Sequence, residues 1–116
     1  VWTADVERFC HTFEIAAGTE AEYDRLHHEI WPELAAAIVD AGYRNYTLFR
    51  RGTQVICVCE CHPDLATVRE RMAARNQPVV DRWNVLMEPF IVRMTDDAGN
   101  LFDYPLCWHL PEDDFL

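Results

Sequence analysis

The chain has 116 residues, half of them apolar and 26% charged, a folded-domain composition with enough material for one hydrophobic core and too little for two. Twenty Asp and Glu against ten Arg give a formal net charge of −10, which argues against nucleic acid and anionic membrane as partners, since both need clustered cations. There is no Lys and no Ser anywhere, so Schiff-base lysine chemistry, a phosphate-loop lysine and a serine nucleophile are excluded.

No stretch approaches the roughly 20 apolar residues of a membrane span. The first residues show no charged region followed by an apolar one, so a cytoplasmic location is expected. A single domain over residues 1–116 is expected, with the acidic end from Pro111 to Leu116 as a solvated tail. Cys10, Cys57, Cys59, Cys61 and Cys107 are odd in number and lack disulfide-framework spacing. Cys57, Cys59 and Cys61 alternate in what reads as a strand, with neighbours about 6.6 Å apart. A regular strand would have to bend for these thiols to share a zinc ion, so they are read as reduced core residues with no metal.

Residues 8–15 alternate with Phe9, His11, Phe13 and Ile15 on one face, a first strand. After Gly18, Thr19 and Glu22 read as a capping box opening a helix. Tyr23, His27, Ile30, Leu34 and Ile38 form its apolar stripe, broken at Trp31-Pro32 and ended by Gly42. Two β-rich runs, 43–50 and 54–61, flank the short turn Arg51-Gly52-Thr53. His62-Pro63-Asp64 stops the second run, and Asp64 or Thr67 caps a helix through Arg75. Pro78 interrupts before a second helical stretch, 80–94. A loop at 96–100 and a last strand at 104–110, bounded by Pro105 and Pro111, complete the chain. The order β-α-β-β-α-β is the ferredoxin-like α+β pattern, one antiparallel sheet with its helices on one face. The bare face then calls for a second copy, so a homodimer is expected.

His27 is the leading candidate for chemistry, because imidazole exchanges protons near neutral pH. It lies one helical turn from Tyr23 on the apolar stripe, while a core histidine with a satisfied ring nitrogen is the plainer reading. His28 points some 100° away, and with His11, His62 and His109 it makes a scattered set that carries no metal signal. Tyr23, Trp31, Tyr43, Tyr46 and Trp83 come from different elements that this topology can bring together. Aromatic faces beside polar tips suit a pyranose ring, whose CH patches stack while its hydroxyls hydrogen-bond; simple core packing is the plainer reading of any one of them.

The segment Glu22-Tyr23-Asp24-Arg25-Leu26-His27-His28-Glu29-Ile30-Trp31-Pro32-Glu33-Leu34 resembles the E-Y-x-x-x-H-x-x-I-W-P-E-L signature of the L-rhamnose mutarotases. Gly42-Tyr43-Arg44-Asn45-Tyr46, Asp81-Arg82-Trp83 and Trp108-His109-Leu110-Pro111 resemble further segments of that family. The resemblance implies a dimeric α/β barrel and an enzyme that interconverts α and β anomers of a deoxyhexose without a cofactor. It makes His27 the proton donor, Tyr23 and Tyr46 sugar-binding residues, and Trp83 and Asn84 lining residues of the pocket. Asn84 stands where the family has a second tryptophan, and residues 96–104 depart from the family's loop, so a different sugar is an open alternative. A mutarotase or isomerase for another sugar and a non-catalytic sugar-binding barrel are the main rivals. A haem or quinone monooxygenase is a third, on fold analogy alone.

Overall fold

The computed structural model describes residues 6–111, so the acidic residues after Pro111 lie outside the described residues. Strand β1 (Glu7–Ile15) leads to helices α1 (Glu20–His28) and α2 (Pro32–Ala41), then the hairpin β2 (Tyr43–Arg51) and β3 (Gln54–Cys61). Helix α3 (Leu65–Met87) and the short strands β4 (Ile91–Arg93) and β5 (Phe102–Asp103) follow. The sheet is antiparallel in order β2-β3-β1-β4, with β5 also on β1. Glu14 and Ile15 pair with Arg93 and Ile91, while His11 and Thr12 pair with Asp103 and Phe102. β4 and β5 therefore form one edge strand, interrupted by an excursion over 94–101 that the Thr95–Leu101 bridge closes. The fold is mixed α+β in the expected order, with the first helix in two pieces and the last strand split.

Local chemistry explains most element ends, and corrects some expectations. The capping box does not form: Thr19 has φ −102° and ψ 2°, not the extended backbone an N-cap needs. Its hydroxyl donates to the Ala16 carbonyl (2.6 Å), and Glu22 pairs with Arg25 instead. Trp31 is extended (φ −61°, ψ 130°), as the residue before a proline prefers, and Pro32 restarts the helix at its first turn. Gly42 ends α2 at φ +114°. A Cβ there would lie 2.4 Å from the His62 carbonyl oxygen, so glycine is required sterically as well as conformationally. Of the two capping candidates Asp64 serves, accepting from the Thr67 N–H at 2.7 Å. Helix α3 is two helical pieces joined across a kink at Asn76 (φ −131°), directly after Arg75 and two residues before Pro78, so the expected interruption is present.

The helix expected to reach Met94 stops at Met87. Pro89 has no N–H to continue the helical ladder, and the β-branched Ile91 and Val92 that follow take the free edge of β1. The strand expected over 104–110 is absent. The Tyr104 N–H reaches the Cys10 carbonyl (2.8 Å), and Pro105 cannot extend the pairing. Beyond it Leu106, Trp108 and Leu110 are exposed, and His109 lies on no strand.

The helices cover one face of the sheet. Phe13, Ile15, Val55 and Cys57 pack against Tyr23 and Met87, flanked by Leu26, Trp83 and Leu86. Leu34, Ala37 and Val79 join α2 to α3, while Cys59, Cys61 and Val68 close the far end. Cys57, Cys59 and Cys61 are thus buried free thiols filling a core, as expected, with the Cys59 and Cys61 sulfurs 3.9 Å apart. The opposite face leaves Phe49, Ile56 and Val58 exposed.

Candidate active site

A cavity of about 1410 Å³ opens between the sheet and the helices, and Tyr23, His27, Tyr46, Trp83 and Asn84 all line it. The five residues that the family resemblance assigns to the sugar site therefore line one cavity. Tyr43 lines it as well, whereas Trp31 stands behind Trp83, edge to face at 5.3 Å.

Helix α1 supplies the central pair. Residues four apart lie on one helical face, which sets the Tyr23 and His27 rings 4.3 Å apart, and Trp83 meets the His27 ring edge-on at 5.3 Å. The His27 Nδ1–H donates to the Tyr23 carbonyl at 2.8 Å. That bond fixes the neutral tautomer, with the lone pair on Nε2. Burial pushes the His27 ionisation below the usual imidazole range, against the smaller opposing pull of the Tyr23 carbonyl and Asp24. Tyr23 is 4% exposed, and burial drives its phenol well above the ordinary tyrosine range. It remains a proton-bearing donor across the physiological range.

Asp24 and Arg50 clamp the helix to the sheet, Arg50 Nε and Nη2 meeting the carboxylate at 2.8 and 2.5 Å. This two-pronged geometry fixes orientation as well as distance. The Arg50 hydrogen bonds hold the Asp24 carboxyl below its usual range.

Tyr46 reaches the cavity through an irregularity in β2. Arg44 pairs with Glu60 and Thr47 with Val58, which leaves Asn45 and Tyr46 together opposite Cys59. This is a β-bulge, and bulges re-aim side chains. Asn45 supplies the left-handed backbone it needs (φ +51°), a conformation that Asn tolerates better than most residues. Tyr43 and Tyr46 consequently share one face, their rings 5.4 Å apart. Tyr46 is 46% exposed as a residue, but its hydroxyl end is deep enough that burial, then the neighbouring Cys57 thiol, raises its ionisation.

Sequence reasoning put His11 on the inward face of β1 without giving it a role. It lines the cavity, is 7% exposed, and is the one buried polar side chain among the described residues. Its ring lies between Phe9 (5.0 Å) and Phe13 (5.5 Å), and Nδ1 has no hydrogen-bond partner. The sequence signal was a polar ring in an otherwise apolar alternation. His28, expected at the surface, is exposed and also reaches the cavity rim. Among the described residues no cluster of three or more His, Cys, Asp or Glu is placed to hold a metal ion.

The family model for L-rhamnose mutarotase matches residues 8–110. The chain belongs to the L-rhamnose mutarotase family. As a member of this family it is a sugar mutarotase, an isomerase-class enzyme. The L-rhamnose mutarotase of Agrobacterium fabrum is 28% identical over 108 residues, covering 92% of this chain and 98% of the relative. The L-fucose mutarotase of Xanthomonas campestris pv. campestris is 26% identical over 89 residues, 73% of this chain and 71% of the relative. The crystal structure of an L-rhamnose mutarotase from Formosa agariphila superposes with a TM-score of 0.63 at 21% identity, covering 90% of this chain and 96% of that one. That likeness shows a common fold, and it is the fold that gives the mutarotase its sheet-and-helix cavity.

Proposed function

We propose that this mutarotase exchanges the α and β anomers of L-rhamnose or a related deoxyhexose, with His27 as the proton-transfer group. The observation that carries the reading is the state of His27: one ring nitrogen is tied to main chain, the other is left for chemistry, and the ring stands in an aromatic-walled cavity. Ring opening needs a proton removed from the anomeric hydroxyl and one delivered to the ring oxygen. A neutral imidazole at Nε2 takes the first. The resulting imidazolium, steadied by its Nδ1–H bond to the Tyr23 carbonyl, returns a proton at the other oxygen. Tyr23, which stays protonated, donates a hydrogen bond to the ring oxygen as the imidazolium's proton arrives there, and gives up no proton of its own. The aldehyde turns about one bond and recloses on its other face. Proton transfer completes the cycle, so the reaction calls for no cofactor.

Trp83 offers a flat face to the apolar side of the sugar, and Tyr46 and Asn84 bind its hydroxyls. The amide at Asn84, in place of a second stacking ring, favours a sugar with a hydroxyl directed there, which keeps L-fucose and its relatives among the candidates. Phe49, Ile56 and Val58 on the open sheet face, together with Tyr104, Leu106, Trp108 and Leu110 beyond β5, support a homodimer packed sheet to sheet as a dimeric α/β barrel. Such exposed apolar groups favour association. We read residues 1–116 as one domain acting in the cytoplasm; no helix among the described residues is long and apolar enough to cross a membrane.

The test is saturation-transfer NMR of anomer exchange across L-rhamnose, L-fucose and related sugars. Exchange that accelerates in proportion to enzyme for one of them supports the reading. Sugar binding without acceleration would assign the cavity to sensing instead. Sedimentation of the wild type and of Ile56→Asp tests the dimer: a monomeric wild type removes it.

A further inference from the structure

The helix that carries Tyr23 and His27 has few ties to the sheet it faces. α1 has nine residues, with the Gly18 turn before it and the extended Trp31 soon after. A helix that short does not hold its place unaided. Tyr23 packs into the core and Leu26 against it, which anchors one face. Among the described residues, the Asp24–Arg50 ion pair is the only side-chain hydrogen bonding from α1 to another element. The base of this tie is rigid. Arg50 pairs with Val55 in the β2–β3 hairpin, and its Nη1 donates to the Gly52 carbonyl at 2.8 Å, so the guanidinium is held on the strand side as well. Tyr46, Leu48 and Arg50 are alternate residues of β2 and all line the cavity. Arg50 and Tyr46 thus share one strand face, about 13 Å apart. At the other end, Asp24 follows Tyr23 directly and lies just under one helical turn from His27.

We infer that Asp24 and Arg50 are positioning residues that set the distance between the proton-transfer group on α1 and the sugar-binding phenol on β2. The pair touches neither His27 nor the sugar's reacting oxygens in this role. It acts by joining the helix that moves the proton to the strand that holds the substrate. With side chains 26% and 41% exposed, such a pair contributes little to global stability. Its two parallel N–H bonds contribute direction instead, and a single-pronged cation would not reproduce that. The consequence is kinetic: a proton-transfer group misplaced by about 1 Å can cost on the order of 100-fold in rate while the sugar still binds. This rests on the mutarotase reading of the cavity and adds to it the residues that keep its two walls in register.

The experiment is a double-mutant cycle between Asp24 and Arg50, read as kcat and KM for anomer exchange, together with amide hydrogen exchange of the sugar-free protein. Arg50→Leu removes every prong and keeps an apolar stem. It is expected to lower kcat about ten- to hundredfold with KM much less changed. Asp24→Ala lowers kcat in the same way, and the double variant is no worse than Arg50→Leu alone, as coupled residues require. Arg50→Lys, which keeps the charge but not the fork, falls short of wild type. In hydrogen exchange, Arg50→Leu lowers the protection of the α1 amides about three- to tenfold and leaves the β1 and β3 amides as they were. An unchanged kcat in folded Arg50→Leu overturns the inference, and so do additive losses in the cycle. Full activity in Arg50→Lys reduces the pair to a matter of charge and overturns it too, as does unchanged α1 protection. Failure of the wild type to accelerate exchange of any sugar counts against the mutarotase reading alone, because the α1 protection is read without substrate.

Discussion

Replacing His27 by Phe deletes both ring nitrogens yet keeps a ring of similar size between Tyr23 and Trp83, whose centroids lie 4.3 and 5.3 Å from the imidazole. What is lost is one proton-transfer group held in a single tautomer by the Tyr23 carbonyl at 2.8 Å. General acid–base catalysis of this kind contributes about 10²–10⁴-fold, equivalent to about 2.7–5.4 kcal/mol of barrier at 1.36 kcal/mol per decade. The fold should hardly notice. His27 is only part-buried, the aromatic contacts survive, and the stability change should stay within about 1 kcal/mol. The assay is the slope of anomer-exchange rate against enzyme concentration, which removes the spontaneous rate in water, accompanied by a thermal melt. The slope should fall at least about 100-fold with the melting temperature nearly unchanged. A folded His27→Phe enzyme that keeps a third or more of the wild-type slope refutes the assignment.

The pH dependence follows from the same imidazole. Its folded-state ionisation lies below the ordinary value of about 6.5, so the basic form persists, and exchange activity should hold, below the pH at which free imidazole is half protonated. The unfolded chain binds that proton more readily, so His27 contributes stability above about pH 6.5 and loses it as pH falls through the depressed folded value. Chemical denaturation of wild type and His27→Phe between pH 5 and 8 should show the wild type losing more stability on the acid side. Gly42→Ala forces a side chain into the left-handed region and against the His62 carbonyl at 2.4 Å; the expected loss is about 2–4 kcal/mol by denaturation. Asn45→Val places a β-branched residue at φ +51° and should cost about 1–2 kcal/mol while raising KM, because Tyr46 is re-aimed; Asn45→Gly should spare both.

Much of the α1–α2 wall was legible because a helix repeats every 3.6 residues. Spacing alone set Tyr23 and His27 on one face, and Pro32 announced the break. The cysteine run in β3 was equally legible from its alternation. Tyr46 was not. On a regular strand Tyr43 and Tyr46, three apart, point to opposite faces, and only the extra residue between the Arg44 and Thr47 pairings joins them. That offset is a backbone event with no hydrophobic signature, though Asn45 hints at it. The capping box failed for a similar reason: the right residues stood at the right spacing, but the turn at Gly18 left Thr19 with the wrong backbone. The C-terminal third misled through composition. Its apolar run after Pro89 suits a helix or an edge strand, and the free edge of β1 decided between them. His11 was placed on the correct face, but nothing in a strand pattern says that a ring nitrogen lacks a partner.

The split edge strand has a consequence for how substrate preference changes. The 94–101 excursion leaves the sheet after β4 and rejoins before β5, each anchored separately to β1, and Met94 and Leu101 at its two ends touch the cavity. Its length and residues are thus free to drift as an exchangeable cassette, remodelling one side of the sugar's berth while the proton-handling helix keeps its place.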